Sequence, residues 1–549
     1  MADFLAAHLA PIMFGSLVAI MLLGYPIAFS LAALGLAYAA LGIYLGLFAP
    51  GFLQALPERI FSILANQTLL AIPFFAFMGL VLERSRMAED LLDTTAQLFG
   101  ATRGGLAYAV VFVGALLAAT TGVIAAAVIS MGLISLPIML RYHYDKRLAT
   151  GVIAASGTLA QIMPPSLVLI VLADQLGRSV SDMYAGALIP ALALAGCFAL
   201  YVFLVSLVRP QMMPALPPEA RVPLTGIRSL ITTIALSAGI AWLATHLLTP
   251  HVARAPFVHG GSIGAGVAVM IALARRHLFP RLISDLAERV ILALVPPLTL
   301  ILLVLGSVFV GIATPTEAGA LGALGALILA MIKRRLSFAL TREAGEATAQ
   351  LCAFVIFILI GARVFALTFY GVNGHLWVKD WLLALPGGET GFLVFVGAIV
   401  FALGFFLDFF EIVFILVPLL IEPARALGVD LVFLGVLLAL SFQTSFLTPP
   451  FGFALFYLRS VVPDKPFTDP ATGEWRQGVD TLDIYRGAAP FVVIQLVMIV
   501  VVLLFPAMAT PPPTGAPARD PLEIERRLDE LRLPGLEQEN GFGLSPPRR

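Results

Sequence analysis

The chain has 549 residues, of which 60% are hydrophobic and 12% charged, and its mean hydropathy is +0.98. A soluble chain carries about 25% charged residues, so an ordinary soluble enzyme is excluded and the class is a polytopic membrane protein. Lys+Arg and Asp+Glu balance at 33 each, which leaves no basic footprint for nucleic acid.

Taken in order, residues 11–48 read as two helices, with Gly24-Tyr25-Pro26 as a kink or break in the first. That run is too long for a signal-peptide core and has no basic segment before it. Segment 61–83 reads as another span, with Asn66-Gln67-Thr68 near its start and Pro73 further in. An uncharged run from Gly104 to Leu140 follows, interrupted by Thr120-Thr121-Gly122. It exceeds one straight crossing of about 20 residues, so a re-entrant hairpin over 104–140 fits better. A second uncharged run, 148–173, is interrupted by Pro164-Pro165-Ser166, and proline lacks an N–H and clashes with the preceding turn, so this reads as a broken helix. A span at 185–208 and a proline-rich connector over 209–224 come next, the connector marking the boundary between two halves.

Spans near 227–249 and 257–274 open the second half. Residues 290–332 hold two apolar stretches around Thr314-Pro315-Thr316-Glu317, which has the form of a capping box. Glu317 either only caps that helix or belongs to a helix start aimed at an anion. The span at 348–370 contains Arg363, which reads as buried. Apolar runs at 391–421 and 431–458, a hydrophilic loop at 463–486 and a last helix at 490–507 close the membrane part. The tail from Ala509 is polar and proline-rich, reads as partly disordered, and offers one short helical candidate, Leu522 to Leu533. Basic loops at 141–147, 275–289 and 333–342 argue for the cytoplasmic side. Cys197 and Cys352 stand far apart in apolar runs and read as buried, inert thiols.

The two halves repeat a pattern. Pro423 lies 15 residues after Asp408, and Pro137 lies 16 after Thr121; from Pro423 to Pro449 is 26 residues, and from Pro137 to Pro164 is 27. Interrupted helices at corresponding places in two halves point to the binding site of a secondary transporter. Half-helices that end inside a membrane present carbonyl oxygens to a cation, and those that begin there present N–H groups to an anion. Sodium, a hard cation, suits such carbonyls with Ser, Thr or Asp oxygens. The first repeat offers Thr120, Thr121, Gly122, Gly157, Thr158, Pro164 and Ser166, and the second offers Gly404, Asp408, Thr444, Ser445, Thr448 and Pro449. Taken singly, each Ser or Thr is better explained by a back-bond within its own helix; clustering at both breaks favours ion sites. Asp408 at membrane depth costs about 2.5–3.5 kcal/mol and should be paired, protonated or near a cation, with Arg363 the first partner to consider by composition. Arg363, Pro165, Pro450, Thr316 and Glu317 are candidates for the neighbourhood of a substrate, and Glu411 reads as facing a connecting loop.

These residues carry a resemblance. Leu70-Ala71-Ile72-Pro73-Phe74-Phe75-Ala76-Phe77-Met78-Gly79, Thr121-Gly122 followed by Pro137-Ile138-Met139, and Ala155-Ser156-Gly157-Thr158 leading to Pro164-Pro165-Ser166 are matched in the second half by Gly311 to Ala318, Phe406-Leu407-Asp408 and Leu447-Thr448-Pro449-Pro450-Phe451-Gly452. The chain resembles, from about residue 10 to 508, the large membrane (M) subunit of tripartite ATP-independent periplasmic (TRAP) transporters, within the ion-transporter superfamily. The family commonly carries Ser-Gly-Ser where this chain has Thr120-Thr121-Gly122. The resemblance implies an all-α polytopic protein of the bacterial inner (cytoplasmic) membrane, with an elevator-type transport domain sliding against a scaffold. Two hairpins and two broken helices would build the transport domain.

The same resemblance implies sodium as the coupling ion, about two per cycle, and no organic cofactor. Its partners would be a small four-helix membrane (Q) subunit, as a separate chain, and a soluble periplasmic substrate-binding (P) protein that delivers an organic acid. The cargo would be a 2-oxo or other monocarboxylate, with four-carbon dicarboxylates as runner-up. The domain division is 1–100 scaffold, 101–208 first transport repeat, 209–390 connector, scaffold and arm helices, 391–460 second transport repeat, 461–508 loop and last helix, and 509–549 tail. Within the same fold, proton coupling through Asp408 is the alternative, and an ion channel a more distant one. No phosphate-binding Gly-x-x-x-x-Gly-Lys-Ser/Thr loop supports an ATP-driven pump. No His-Glu-x-x-His motif or Ser–His pairing supports a hydrolase.

Overall fold

The computed structural model describes residues 2–220, 227–248, 256–277, 283–468, 473 and 475–510. Among these the chain is built from 21 α-helices, with one two-residue antiparallel strand pair, Phe467–Thr468 against Trp475–Arg476. Eight of the helices are long and apolar enough to cross a membrane; Gly374–Leu383 and Gly388–Leu403, also apolar, are bent by 117° to one another at a short break. Exposed leucines along Val180–Val208, such as Leu192, Leu200, Leu204 and Leu207, are what a lipid-facing surface requires.

Both hairpins and both broken helices are present. Gly105–Thr121 runs in, Gly122 turns with φ +59°, and Ile124–Arg141 runs out, so the first hairpin is bounded within a residue of its expected limits. The first broken helix comprises Lys146–Thr158 and Leu167–Leu176, with Pro164-Pro165 joined by a cis peptide bond. Its start is two residues earlier than the hydropathy suggests because Asp145 caps it, accepting from the Arg147 and Leu148 amides. The second hairpin is Gly388–Leu403 and Phe409–Ala426, longer at both ends than the apolar run over 391–421. Leu431–Leu447 and Phe453–Val461 form the second broken helix around a cis Pro449-Pro450.

Of the two expectations for Gly24-Tyr25-Pro26, a kink or a break, the fold has the break: it separates Ala2–Leu22 from Ile27–Tyr44, with Gly24 at φ +78°. Three other boundaries are corrected by the fold. Segment 61–83 is not one span but Leu56–Leu64 and Ala71–Arg84. Asn66 accepts from the Thr68 amide at 2.9 Å, a local turn that competes with the helix, and Pro73 falls in the first turn of the second piece, where its missing N–H costs nothing. The last helix is Thr481–Leu504, so the hydrophilic loop is shorter than 463–486. The helix carrying Arg363 runs from Phe338 to Gly371, capped by Ser337, whose hydroxyl accepts from the Leu340 amide.

Helices stand where the other spans are expected, Ile227–Leu248, Pro256–His277, Asp285–Phe309 and Pro315–Ile332, although Pro256–His277 is apolar only over Gly260–Arg275 and is not among the eight. The connector after residue 208 folds back on the first repeat rather than hanging free. Its Met213 and Met212 carbonyls accept from the Gly104 and Asp145 amides, so it pins the start of the hairpin and of the broken helix. Cys197 and Cys352 are free thiols and half-buried, less enclosed than expected, because each lies on a helix face only partly covered. The tail helix expected over Leu522 to Leu533 lies outside the described residues.

The repeat survives into the packing. Gly114 lies seven residues before Thr121 and Gly397 seven before Gly404; Ser156 and Ser441 each lie eight residues before the first proline of a pair. In the fold Gly114 faces Ser156, where an added Cβ would stand 2.4 Å from the serine Cβ, and Gly397 faces Ser441, 3.6 Å from its Oγ. Small residues let an ingoing hairpin helix lie against the first half of its broken helix. The same device appears twice.

Candidate functional site

The first hairpin turn is held from two sides. A Cβ on Gly122 would come within 2.9 Å of the Leu167 amide nitrogen, and one on Gly79 of the Ala71–Arg84 helix within 2.6 Å of the Thr120 carbonyl. Thr120 and Thr121 are both buried, and both hydroxyls donate to the Leu117 carbonyl at 2.9 Å. Across the break, Ser166 donates to the Ala160 carbonyl at 2.8 Å and accepts from the Val168 amide at 3.2 Å. Gly157 packs on Val128 of the returning hairpin helix, where a Cβ would stand 2.3 Å from the valine Cγ2. Pro164 and Pro165 are buried. Thr158 donates to the Ala155 carbonyl at 2.8 Å and faces two glutamines, Gln443 and Gln495.

At the second turn Gly404 lies against Ser445, whose hydroxyl donates to the Phe401 carbonyl at 2.7 Å, tying the ingoing hairpin helix to the second broken helix. Thr444 donates to the Leu440 carbonyl and Thr448 to the Thr444 carbonyl, at 2.8 and 2.7 Å. Each of these hydroxyls spends its proton on a backbone carbonyl. Its oxygen is left with lone pairs only, the form that suits a hard cation. Among the described residues no group of three or more His, Cys, Asp or Glu side chains has metal-binding geometry.

Asp408 is not paired with Arg363. It caps the helix Phe409–Ala426, accepting from the Phe409 amide at 2.7 Å, while its own amide donates to Glu411 at 3.1 Å. Glu411 therefore closes a capping box instead of facing a loop. Arg363 is exposed, because the faces that pack inward carry Gly361, Ala362, Val364 and Phe365. Thr314 and Glu317 form the other capping box: Glu317 accepts from the Thr314 amide at 2.7 Å and from its hydroxyl at 2.9 Å, and it is exposed. Thr316 donates to the Gln67 carbonyl at 2.6 Å. Two helix starts at the breaks lack a side-chain cap, Ile124–Arg141 after Val123 and Phe453–Val461 after Gly452. Pro449 is half-buried, and Pro450, Phe406 and Phe451 are exposed around the second break.

Polar contacts link the segment 66–84 to this core. Asn66 donates to Asp174 at 2.7 Å, and Ser130 of the returning hairpin helix donates to Glu83. The sequence offers no local signal for either pair. It does offer one for Asp408, since Asp-x-x-Glu before an apolar run has the same form as Thr314-x-x-Glu317.

Comparison with known proteins adds identity. At 26% identity over 464 residues, 84% of this chain and 90% of its relative, the chain is similar to the C4-dicarboxylate TRAP transporter large permease protein DctM of Pseudomonas aeruginosa. The DctM protein of Rhodobacter capsulatus is 25% identical, covering 91% of this chain and 98% of that protein. A 2,3-diketo-L-gulonate TRAP transporter large permease protein, YiaN of Escherichia coli, is 24% identical over 90% and 96%. Among solved structures, the Alcanivorax borkumensis YdaH transporter matches with a TM-score of 0.49 and 15% identity over 85% of this chain and 91% of that one, a likeness too distant to bear on cargo or mechanism. The description "Tripartite ATP-independent periplasmic transporter, DctM component" fits residues 14–508, nearly the whole described chain, and the chain belongs to that family of transporter subunits.

Proposed function

We propose that this chain is the permease subunit of a sodium-coupled importer of a small organic acid in the bacterial inner membrane, and not an enzyme. The observation that carries the reading is the doubled arrangement of hairpin turn against helix break, each lined by hydroxyl oxygens whose protons are already spent on backbone carbonyls. Sodium binding at Thr120, Thr121, Gly122, Gly157, Thr158, Pro164 and Ser166 would draw the first turn onto its break. Gly404, Asp408, Thr444, Ser445, Thr448 and Pro449 would serve the second ion. The uncapped helix starts at Ile124 and Phe453 offer N–H groups to a carboxylate, with Pro165 and Pro450 beside them, whereas Arg363, Thr316 and Glu317 are engaged or exposed elsewhere.

In this mechanism the hairpins and broken helices move as one body against the remaining helices. The cargo is a monocarboxylate such as a 2-oxo acid, or a four-carbon dicarboxylate as in two of the relatives. It arrives from a periplasmic binding protein, and a separate small membrane subunit braces the scaffold. Each sodium moving inward contributes about 2.3 kcal/mol per 100 mV, so two ions with a monoanion make uptake electrogenic. A second reading, proton coupling, draws on the two carboxylates Asp408 and Glu411 at the second turn.

Uptake of labelled organic acids into proteoliposomes holding the chain and its small subunit, with loaded binding protein outside, tests both. Replacing sodium by potassium at fixed pH should reduce uptake at least tenfold. Undiminished uptake would overturn sodium coupling in favour of protons, and unsaturable flux without binding protein would favour a channel.

A further inference from the structure

Thr158 and Gln443 occupy the same place in the two repeats, each six residues before the first proline of its pair. In the fold they touch. The Gln443 amide nitrogen reaches Thr158 Oγ1 at 3.4 Å, and Gln495 of the Thr481–Leu504 helix reaches the same oxygen at 3.2 Å. All three residues have zero exposed surface. Their meeting follows from two glycines: a Cβ on Gly151 would stand 2.1 Å from the Gly487 carbonyl oxygen, so the two helices lie backbone against backbone there. Seven residues further along one helix and eight along the other, about two turns in each, Thr158 meets Gln495.

The bonding at this junction is not closed. The amide oxygens of both Gln443 and Gln495 are buried without a hydrogen-bond partner. Each glutamine thus turns its nitrogen to Thr158 and leaves its oxygen, the other end of the amide, unmatched, at a cost of about 1–3 kcal/mol for each buried acceptor. A half-turn about the last side-chain bond exchanges amide nitrogen and oxygen at little cost in shape. It would set both amide oxygens against Thr158 Oγ1 at the separations the nitrogens now span. Oxygens about 2.4 Å from a cation of sodium or calcium size stand about 3.4 Å apart at neighbouring corners of an octahedron. Thr158 ends the Lys146–Thr158 helix and Gln443 lies near the end of Leu431–Leu447, so both helices bring their partly negative ends to the same point. The three side chains offer neutral hard oxygens and no carboxylate, sulfur or imidazole, a set for an alkali cation and not for a divalent or transition metal.

We propose that Thr158, Gln443 and Gln495 form an additional monovalent-cation site where the two repeats and the last helix meet, apart from the hairpin turns. The inference rests on the ion-coupled reading above and moves Thr158 from the first-repeat sodium set to this junction. An ion held here joins the two broken helices and the last helix into one body, so its occupancy couples the two halves of the transport core.

The test uses the complete transporter in proteoliposomes, with the sodium-to-cargo ratio read from the reversal potential and the half-activating sodium concentration from uptake. Gln495→Leu should lower the ratio by one sodium and raise the half-activating concentration at least tenfold. Gln495→Glu, which adds charge to the same place, should lower that concentration severalfold. Opposite shifts distinguish an ion ligand from a packing residue, which would lose activity in both variants at unchanged sodium response. Sodium-dependent thermal stabilisation of the purified protein gives a second readout if Gln495→Leu is poorly inserted, and it should shrink in Gln443→Leu. Sodium response unchanged in all three variants, with sodium-driven wild-type uptake, overturns this site alone. Wild-type uptake and thermal stability that ignore sodium overturn it together with sodium coupling.

Discussion

The two hairpin turns share an architecture and differ in chemistry. The first is neutral and closed: Thr120, Thr121 and Gly122 are buried, the turn depends on a left-handed glycine, and the helix that leaves it has no side-chain cap. The second is charged and more open: Gly404 has an ordinary φ of −66°, Asp408 and Glu411 cap the outgoing helix, and Phe406 is 59% exposed. Capping alternates through the breaks as well, since Ser166 caps Leu167–Leu176 while Phe453–Val461 has none. Each repeat therefore keeps one helix start satisfied from within and leaves one without a side-chain cap, so a duplicated backbone plan has been given unequal ends.

The largest effect should come from breaking the first turn. Gly122→Val forces a β-branched residue into left-handed backbone, where an L residue costs about 1–2 kcal/mol, and drives its Cβ against the Leu167 amide. Uptake should fall more than tenfold, with a lowered melting temperature in detergent. Gly404→Ala meets the Ser445 side chain and, at 3.3 Å, the Val400 carbonyl oxygen, at ordinary φ, and should cost threefold or less in the same uptake assay. Equal losses in the two would dissolve the contrast between the turns.

Asp408 sharpens it further. Removing the cap in Asp408→Ala should cost about 1 kcal/mol of stability and raise half-activating sodium about tenfold in uptake titrations. Asp408→Asn keeps an acceptor for the Phe409 amide without the charge, so it should restore stability but not sodium affinity. Full recovery of both would reduce Asp408 to a cap. Thr448→Ala and Thr121→Val, which remove one hydroxyl from each break, should each weaken sodium activation a fewfold, measured side by side with expression level as control. The smallest effect belongs to Arg363→Gln. An exposed arginine without an Asp408 contact should leave initial uptake rates within about twofold of wild type.

Much of the architecture is legible in the order of residues alone. Proline pairs at depth, a small-residue turn in an overlong apolar run and the near-equal spacings 16 and 27 against 15 and 26 mark both hairpins and both broken helices. Those signals are local and steric, so they read through without knowledge of neighbours. Arg363 shows the opposite case. An arginine in an apolar helix looks buried until the fold shows which face its neighbours occupy, and Gly361, Ala362, Val364 and Phe365 take the inside. Glu411 is a third kind: the Asp-x-x-Glu spacing carries its role as a helix cap, but a carboxylate beside Asp408 in an apolar run competes for an ionic explanation of both.

By itself the sequence determined that this chain is a membrane protein with two interrupted repeats, because hydropathy, proline and glycine act on the backbone where they stand. Only the tertiary structure decided which polar groups meet. The convergence of Thr158, Gln443 and Gln495 depends on glycine contacts between helices more than 300 residues apart in the chain, and a buried amide oxygen declares itself unmatched only when every neighbour around it is known.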